Sequence, residues 1–271
     1  MTKLDAPAFA GAALKGRWRL IHTPARSGAA NMAIDQALMA RARRTGESVL
    51  RVYTWSAPTL SLGRHQSTRG RIDPRVAREL GVSLVRRPTG GRALLHHREV
   101  TYSVTAALAR DDSVRSWYAS INTVLLRALR ALGVDAKTAA VSGRTPLPST
   151  ASCFVRPDEG EITVGGRKLV GSALLRLEGA LLQHGSILLE DDQPMLNALL
   201  PVDEVRPAPA GTLRQALGAA PTVNDVADAL FASLSGVATV DASPLDSDDP
   251  FWADAEESER QYASEEWTFR Y

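Results

Sequence analysis

Cysteine and lysine are scarce in this chain. Cys153 is the single cysteine among 271 residues, so no intrachain disulfide can form, and this usage is compatible with a reducing compartment. Lysine occurs only at Lys3, Lys15, Lys137 and Lys168, whereas arginine is abundant. A lysine within a distinctive local pattern is therefore a more conspicuous candidate than it would be in an average sequence.

Long apolar runs, metal-binding arrays and a strong net charge are also lacking. No apolar run reaches the length of about 18 residues that a membrane-spanning helix needs. The N-terminal segment has an early acidic residue and no sustained apolar core, which argues against a signal peptide. No Cys/His array has zinc spacing, and a net charge of +2 predicts no strong attraction to nucleic acid. We therefore expect a soluble, cytoplasmic protein with no metal site, no membrane contact and no nucleic-acid partner.

Extended and helical patterns alternate along the first two thirds of the chain. Strands are predicted at 17–22, 49–55, 59–62, 82–87, 93–96, 99–106 and 180–189. Two amphipathic helices are predicted, one beginning at Asn31 as N-cap and running to about Arg44, the other capped by Ser113 and ended by Gly133. This strand-rich pattern predicts an α+β fold with a mixed, mostly antiparallel sheet and flanking helices.

The two ends of the chain depart from this pattern. Residues 1–15 are small, mixed and aperiodic, and we expect them to be flexible. From about residue 193, prolines punctuate short helical pieces, and Thr222 with Asp225 predicts a capping box for a helix that runs to Leu234. We therefore expect a single domain over residues 16–271, whose last part is a helical extension.

The stretch around Lys168 carries the most specific local turn signal. Extended runs at 161–164 and 167–173 flank Gly165-Gly166, which predicts a β-hairpin with Lys168 at the start of its second strand. Cys153 precedes this hairpin, next to a loop at 142–152 that is rich in Pro, Ser and Thr. A thiol near an ammonium can form a nucleophile–cation pair. Each residue also has a simpler interpretation, as a buried small side chain for Cys153 and as a solvated cation for Lys168.

A second candidate site is the segment RRPTGGR at 86–92, between two predicted strands. Its glycines can bring backbone N–H groups close to a ligand, and its arginines can pair with phosphate or carboxylate. It lacks the spacing of known nucleotide-binding loops, so an ordinary turn with solvated arginines is the alternative. The segment Arg64-His65-Gln66 leaves a similar choice between a cleft and a solvated loop.

Three histidines are further candidates. His184 lies in an apolar strand, where a hydrogen-bonded core histidine is the common outcome. His96 and His97 are adjacent, so in a strand they face opposite ways and at most one of them points into a given pocket.

Five phrases of the sequence occur in one order that is more specific than any of them alone. They are NMAID at 31–35, WSAPTLSLGRHQ at 55–66, RRPTGGRALLHHREVTYSV at 86–104, GRKLVGSALLR at 166–176 and LLQHGSILL at 181–189. Together they resemble the lipoate–protein ligase and octanoyltransferase superfamily, and the closing YASEEWTFRY is also typical of it. The resemblance implies the catalytic-domain fold shared by biotin– and lipoate–protein ligases.

The resemblance implies one of two chemistries. Lipoate–protein ligases use ATP and Mg²⁺ to make lipoyl-adenylate, and the lysine that matches Lys168 contacts the acyl carbonyl and the phosphate. Octanoyltransferases need no cofactor and form a cysteine thioester from octanoyl-acyl carrier protein. They then acylate a lysine of a lipoyl domain or of the glycine-cleavage carrier protein.

One octanoyltransferase branch keeps a ligase-like sequence and places its cysteine ahead of the hairpin. Cys153-Phe154 and Gly166-Arg167-Lys168 fit that branch, which also contains amidotransferases. The branch implies that Cys153 and Lys168 are catalytic, with Lys168 stabilising the thiolate and also able to accept a proton. The substrate-binding residues that it implies are Arg86, Arg87, Gly90, Gly91, Arg92, His96, Gly171, Ser172, Ala173 and His184, the arginines also steering the acidic carrier protein.

Three positions depart from the ligase pattern. Arg92 stands where ligases have a third glycine, His97 where they have Asp, and Leu174 where they usually have Gln. These changes weaken the ligase interpretation more than the transferase interpretation. Octanoyl transfer is therefore the leading hypothesis, with an ATP-dependent lipoate–protein ligase and a non-catalytic acyl- or carrier-binding module as alternatives.

Overall fold

The computed structural model describes residues 14–68, 71–139, 160–199 and 208–271. Its strands are β1 Arg17–His22, β2 Ser48–Tyr53, β3 Thr59–Leu62, β4 Ser83–Arg86, β5 Leu94–His96, β6 Glu99–Ala107, β7 Ala136–Thr138, β8 Ile162–Val164, β9 Arg167–Leu177, β10 Ala180–Leu188 and β11 Thr239–Asp241. Its helices are α1 Gly28–Thr45, α2 Pro74–Glu79, α3 Val114–Ala131, α4 Leu196–Leu199, α5 Leu213–Leu217, α6 Val223–Ser235, α7 Phe251–Tyr262 and α8 Glu265–Thr268, and a 3₁₀ turn at Gln193–Met195 precedes α4.

Two sheets organise these elements. The larger has eight strands in the order β11-β1-β2-β6-β10-β9-β8-β7, and the smaller has three in the order β4-β3-β5. In the larger sheet only the pairs of β1 with β11 and with β2 are parallel. The predicted α+β fold with a mostly antiparallel, mixed sheet is thus confirmed. The separate small sheet was not foreseen.

The large sheet is covered by helices on both faces, because successive side chains of a strand point to opposite sides. On one face, Trp117, Ile121 and Leu125 of α3 and Leu230 of α6 pack with strand residues in the largest apolar cluster. On the other face, α1 packs against β6 and β10, and α7 lies against α1. The small sheet borders the α1 face, which leaves space for a cavity between the two sheets. Over the described residues, no helix combines the length and the apolar character that crossing a membrane requires.

The predicted start of α1 was wrong. Ser27 is the N-cap, and its hydroxyl accepts a hydrogen bond from the backbone N–H of Ala30, at 3.1 Å. Asn31 lies within the first turn of α1, and its amide oxygen accepts a hydrogen bond from Arg51 at 2.7 Å. Asparagine is a good N-cap residue, but here the side-chain oxygen of Asn31 accepts a hydrogen bond from the buried guanidinium group of Arg51 on β2 and does not cap the helix.

Several other local predictions are confirmed. Gly165 and Gly166 join β8 to β9 with φ values of +55° and +74°, the backbone that a two-residue hairpin turn of this kind requires. Ser113 caps α3, and Thr222 forms a reciprocal capping box with Asp225 at the start of α6. The predicted hairpin around Lys168 therefore exists.

The region after residue 193 is not purely helical. Short helices dominate it, but β11 pairs in parallel with β1 at the edge of the large sheet. Residues 1–13 and the segment 140–159, which includes Cys153 and the predicted loop at 142–152, lie outside the described residues. The single domain over 16–271 stays a prediction.

Candidate active site

A cavity lies between the large sheet, the small sheet and the N-terminal half of α1. It contains about 450 Å³ of empty space, part of it open to solvent. Met32, Tyr53, Trp55 and Leu94 supply much of its wall. A concave, largely apolar site with a few convergent polar groups is the usual form of a small-molecule site.

The cavity gathers most of the residues that the sequence implied for substrate binding. Its described lining includes Arg87, Gly91, His96, Gly171, Ser172, Ala173 and His184. Arg86, Gly90 and Arg92 are not among the described lining residues, and neither is Lys168. The binding role of each remains a prediction, and Cys153 lies outside the described residues.

Lys168 is buried in an ion pair. Its Nζ lies 2.7 Å from Oε1 of Glu161, and both side chains are almost fully buried. Glu161 precedes β8, whose Thr163 pairs with Lys168 across the hairpin, so the hairpin brings the carboxylate within reach. Charges in the interior need such compensation, because desolvation costs several kcal/mol per ion. The sequence analysis missed Glu161, although it sits in the first extended run of the predicted hairpin.

His184 is held in one orientation by two buried partners. Its Nδ1 lies 3.2 Å from Oδ2 of Asp35, and its Nε2 lies 2.7 Å from Oγ1 of Thr89. Burial alone would raise the pKa of Asp35, but the charge of Arg51 and the hydrogen bond from His184 outweigh it, so this pKa lies below its ordinary value. Burial lowers the pKa of His184, although Asp35 acts in the opposite direction. The pair is therefore a carboxylate next to a neutral imidazole at neutral pH.

His96 has a similar arrangement on the small sheet. Its Nδ1 lies 2.8 Å from Oε1 of Glu99 and its Nε2 lies 2.8 Å from Oγ of Ser61, while its ring stacks on Trp55 at 4.0 Å. His97, by contrast, is partly exposed and lies 3.5 Å from Asp192. As expected for adjacent strand residues, only His96 reaches the cavity.

Ser172 connects the cavity wall to the interior of the opposite face of the sheet. Its Oγ lies 2.7 Å from the hydroxyl of Tyr102, which accepts a hydrogen bond from Gln183 at 3.0 Å. Burial raises the pKa of Tyr102, so the phenol remains neutral. Gln183 also donates to Asn122, whose amide donates to the carbonyl of Gly160, next to Glu161. Tyr102 and Gln183 lie within the phrases at 86–104 and 181–189 but were not singled out there, and Asn122 lies in none of the five phrases.

The side chains of the two arginines that begin the segment 86–92 hydrogen-bond to backbone carbonyls. Arg87 donates to the carbonyls of Ser61, Gly90 and Arg92 at 2.7–3.2 Å. Arg86 donates to the carbonyls of Gly63, Gln66 and Thr268, the last being part of the C-terminal segment. Burial, with the nearby charge of Arg270, lowers the pKa of Arg86 to about 10.

This placement corrects one expectation. We expected Arg86, Arg87 and Arg92 to steer an acidic carrier protein, a role that needs exposed charge, but the side chains of Arg86 and Arg87 are buried. Only Arg92 is partly exposed. Arg86 and Arg87 instead fix the loop that forms one wall of the cavity.

Among the residues that the structure describes, no three His, Cys, Asp or Glu side chains are grouped so that they could hold a metal ion. The family model for the lipoyl protein ligase A/B catalytic domain matches residues 27–235, which is most of the chain and contains the described lining residues of the cavity. The chain belongs to the lipoyl protein ligase A/B catalytic-domain family.

Curated relatives resemble the chain along nearly its whole length. The octanoyltransferase LipM of Kyrpidia tusciae is 41% identical over 273 residues, covering 93% of this chain and 98% of the relative. The LipM of Staphylococcus aureus is 33% identical over the same shares of the two chains. No large segment of these relatives is therefore left without a counterpart.

Solved structures of lipoate–protein ligases share the fold. A lipoate–protein ligase A bound with ATP matches 94% of this chain and 98% of its own, with a TM-score of 0.77 and 24% identity. A bi-partite lipoate protein ligase from Thermoplasma acidophilum, described with its E2 lipoyl domain, matches 94% of this chain and 96% of its own, with a TM-score of 0.74 and 23% identity. At this level of identity the likeness shows the fold alone.

Proposed function

We propose that this protein is an octanoyltransferase. It moves an octanoyl group from octanoyl-acyl carrier protein to a lysine of a lipoyl domain or of the glycine-cleavage carrier protein. The observation that carries the proposal is the 41% identity to a curated octanoyltransferase over 93% of this chain and 98% of that relative. The acyl carrier protein as donor and the two acceptors follow from the resemblance in the sequence.

The cavity suits an acyl chain. Met32, Tyr53, Trp55 and Leu94 offer apolar and aromatic surface, and each methylene that leaves water for such a surface contributes about 0.8 kcal/mol. Gly171, Ser172 and Ala173 lie on β9, the strand whose second residue is Lys168. The acyl chain would thus occupy the space between the sheets, with its carbonyl end toward the hairpin.

The chemistry is assigned to Cys153 and Lys168. The Cys153 thiolate attacks the thioester carbonyl of the donor, a new sulfur–carbon bond forms, the sulfur–carbon bond of the donor breaks, and the carrier leaves as a thiolate that takes a proton from water. The neutral acceptor amine then attacks this enzyme thioester, the amide bond forms, the bond to Cys153 breaks with release of its thiolate, and the proton lost by the amine passes to water. Lys168 supplies positive charge for the thiolate and for the oxyanion in both steps.

The ion pair with Glu161 favours one of the two roles that the sequence left open for Lys168, the stabilising cation, over the other, the proton acceptor. A carboxylate oxygen at 2.7 Å favours the ammonium form by direct attraction. We therefore assign Lys168 the role of a fixed cation, rather than that of the proton acceptor that the sequence left open.

Acylation of a purified lipoyl domain tests the function. We expect octanoyl-acyl carrier protein to octanoylate the lipoyl domain without ATP, and Cys153→Ala to abolish this transfer. An ATP-dependent ligase would instead require free acid, ATP and Mg²⁺, and its activity would survive Cys153→Ala. A binding module would retain octanoate or the carrier without transfer under either condition.

A further inference from the structure

The segment 88–91, which we call the glycine loop, forms one wall of the cavity through Gly91. It lies against the chain that follows β3. The backbone N–H of Arg64 donates to the carbonyl of Thr89 at 2.8 Å, and a Cβ added to Gly63 would come within 1.9 Å of the Gly91 carbonyl oxygen. The position of the glycine loop therefore sets the width of the cavity on this side.

A series of hydrogen bonds between side chains connects the glycine loop to the centre of the protein. Thr89 Oγ1 contacts His184 Nε2 at 2.7 Å, and His184 Nδ1 contacts Asp35 Oδ2 at 3.2 Å. The ionised Asp35 can only accept, so Nδ1 carries the hydrogen and Nε2 carries the lone pair. The Thr89 hydroxyl therefore donates to His184, which defines both the tautomer of the ring and the direction of the hydroxyl.

Asp35 is itself fixed by groups on rigid elements. Its Oδ1 accepts from Arg51 at 2.8 Å and from Ser103 at 2.7 Å, and its Oδ2 accepts from the Tyr53 hydroxyl at 3.1 Å. These partners belong to β2 and β6, and Asp35 belongs to α1. Locking a functional side chain through such surrounding hydrogen bonds is what holds a site to its geometry.

We propose that Asp35, His184 and Thr89 form a positioning relay that holds the glycine loop in place for the acyl donor, and that the relay requires a neutral His184. None of the three residues performs the chemistry; they fix the wall against which the donor binds. The inference rests on the proposed function for the identity of the donor, but the hydrogen-bond chain exists independently of it.

The charges around His184 explain why its neutral form matters. Asp35 contacts its Nδ1 from α1, and Arg51 of β2 pairs with Asp35. Arg87, just before the glycine loop, and His96 of β5 both act to lower the pKa of His184. A proton added at Nε2 would remove the acceptor that the Thr89 hydroxyl uses. It would also place a further positive charge in a buried site, and burial already lowers the pKa of His184.

Removal of the Thr89 hydroxyl is the most direct test. Thr89→Val keeps the branched shape and deletes the donor, whereas Thr89→Ser retains it. We expect Thr89→Val to raise the KM for octanoyl-acyl carrier protein about tenfold while kcat changes less than about twofold. Thr89→Ser should stay close to wild type. An unchanged KM in Thr89→Val would overturn the relay.

A double-variant cycle separates a relay from two independent structural effects. His184→Gln should also raise KM, and the combination of Thr89→Val with His184→Gln should be no worse than the more severe single variant, because both break one chain. In the wild type, KM should rise as the pH falls and His184 becomes protonated, whereas in Thr89→Val it should be independent of this titration. Additive effects, or the same pH dependence in both proteins, would contradict the proposal.

Hydrogen exchange of the glycine-loop amides provides a readout that does not require transfer. We expect faster exchange at 89–91 in Thr89→Val and in His184→Gln than in wild type and Thr89→Ser, at one neutral pH. Equal exchange in all four proteins would overturn the relay. If the wild type transfers no octanoyl group, the proposed function fails, while this exchange measurement still decides whether the relay holds the loop.

Discussion

The Nζ of Lys168 lies 2.7 Å from Oε1 of Glu161, and both side chains are buried close to the turn of one hairpin. This pair gives Lys168 a fixed position and a compensating charge. It also makes the stability of the hairpin depend on Glu161, which lies outside the phrase GRKLVGSALLR at 166–176.

Removal of the Glu161 carboxylate should strongly destabilise the protein. We expect Glu161→Ala to lower the free energy of unfolding by about 3–5 kcal/mol, since removing one partner of a buried ion pair is strongly destabilising. Urea unfolding measures this change.

A matched double variant distinguishes loss of compensation from loss of packing. Glu161→Leu combined with Lys168→Met removes both charges and retains apolar volume, so it should be more stable than Glu161→Leu alone. If the double variant is the less stable of the two, the ion-pair explanation is wrong. The double variant, which lacks Lys168, should lose transfer activity if Lys168 acts as the catalytic cation.

Gly63 should tolerate no side chain. A Cβ at this position would lie 1.9 Å from the carbonyl oxygen of Gly91, so either the glycine loop or the chain after β3 must move. We expect Gly63→Ala to cost about 1–3 kcal/mol of unfolding free energy, as overpacking does elsewhere. Gly90→Ala is the matched control for stability, because its Cβ would meet no atom within 4 Å. Equal stability of the two variants would show that the chain at Gly63 and the Gly91 carbonyl can move apart at little cost, which would contradict the prediction.

Arg86 should hold the C-terminal segment. Its guanidinium group joins the Thr268 carbonyl to the carbonyls of Gly63 and Gln66. We expect Arg86→Met to destabilise the protein by about 2–4 kcal/mol, since several buried carbonyls lose a charged donor. Amide exchange over 264–271 should become faster in the same variant.

Arg75→Met is the control for the loss of an arginine as such. Its side chain is 80% exposed and lies 3.4 Å from Asp73, so its replacement should change stability by less than about 1 kcal/mol. Arg86→Met with unchanged exchange at the C-terminus would refute the anchoring role.

The buried pair of Asp35 and His184 predicts acid sensitivity. Both groups have a pKa below the ordinary value, so the unfolded chain binds more protons than the folded chain at acid pH. Their contribution to stability is therefore present above the ordinary pKa and is lost as the pH falls, first below about 6.5 for His184 and then below about 3.8 for Asp35.

Urea unfolding between pH 7.5 and 5 measures the first of these windows. The free energy of unfolding should fall across it in wild type, and the slope should be smaller in His184→Gln. His22→Gln changes an exposed histidine and should leave the slope as in wild type. A slope that is the same in wild type and in His184→Gln would contradict the assignment.

Local chemistry made parts of the fold predictable. Gly165-Gly166 between extended runs defined the hairpin, and Ser113 and the Thr222–Asp225 pair marked helix starts, because each of these signals acts within a few residues. The start of α1 was missed because the Asn31 side chain bonds Arg51, a partner twenty residues away. β11 was missed because three residues carry little pattern and their pairing with β1 spans most of the chain.

The residues of the candidate site likewise divide into those that the sequence predicted and those that it did not. The ordered motifs identified His96, His184 and the run 171–173, all of which line the cavity. They did not identify Glu161, whose role depends on hairpin register and on an irregularity between Ile162 and Thr163. They implied that Arg86 and Arg87 bind substrate and steer the carrier protein, whereas both side chains hydrogen-bond backbone carbonyls that become buried only in the folded chain.

Intact-mass measurement tests the central claim most directly. Wild type, Cys153→Ala and Cys153→Ser are mixed with octanoyl-acyl carrier protein in the absence of ATP. We predict one added octanoyl group on wild type, removable by hydroxylamine as a thioester, and none on Cys153→Ala. The absence of an adduct on wild type, or an equal adduct on Cys153→Ala, would contradict a cysteine-thioester octanoyltransferase.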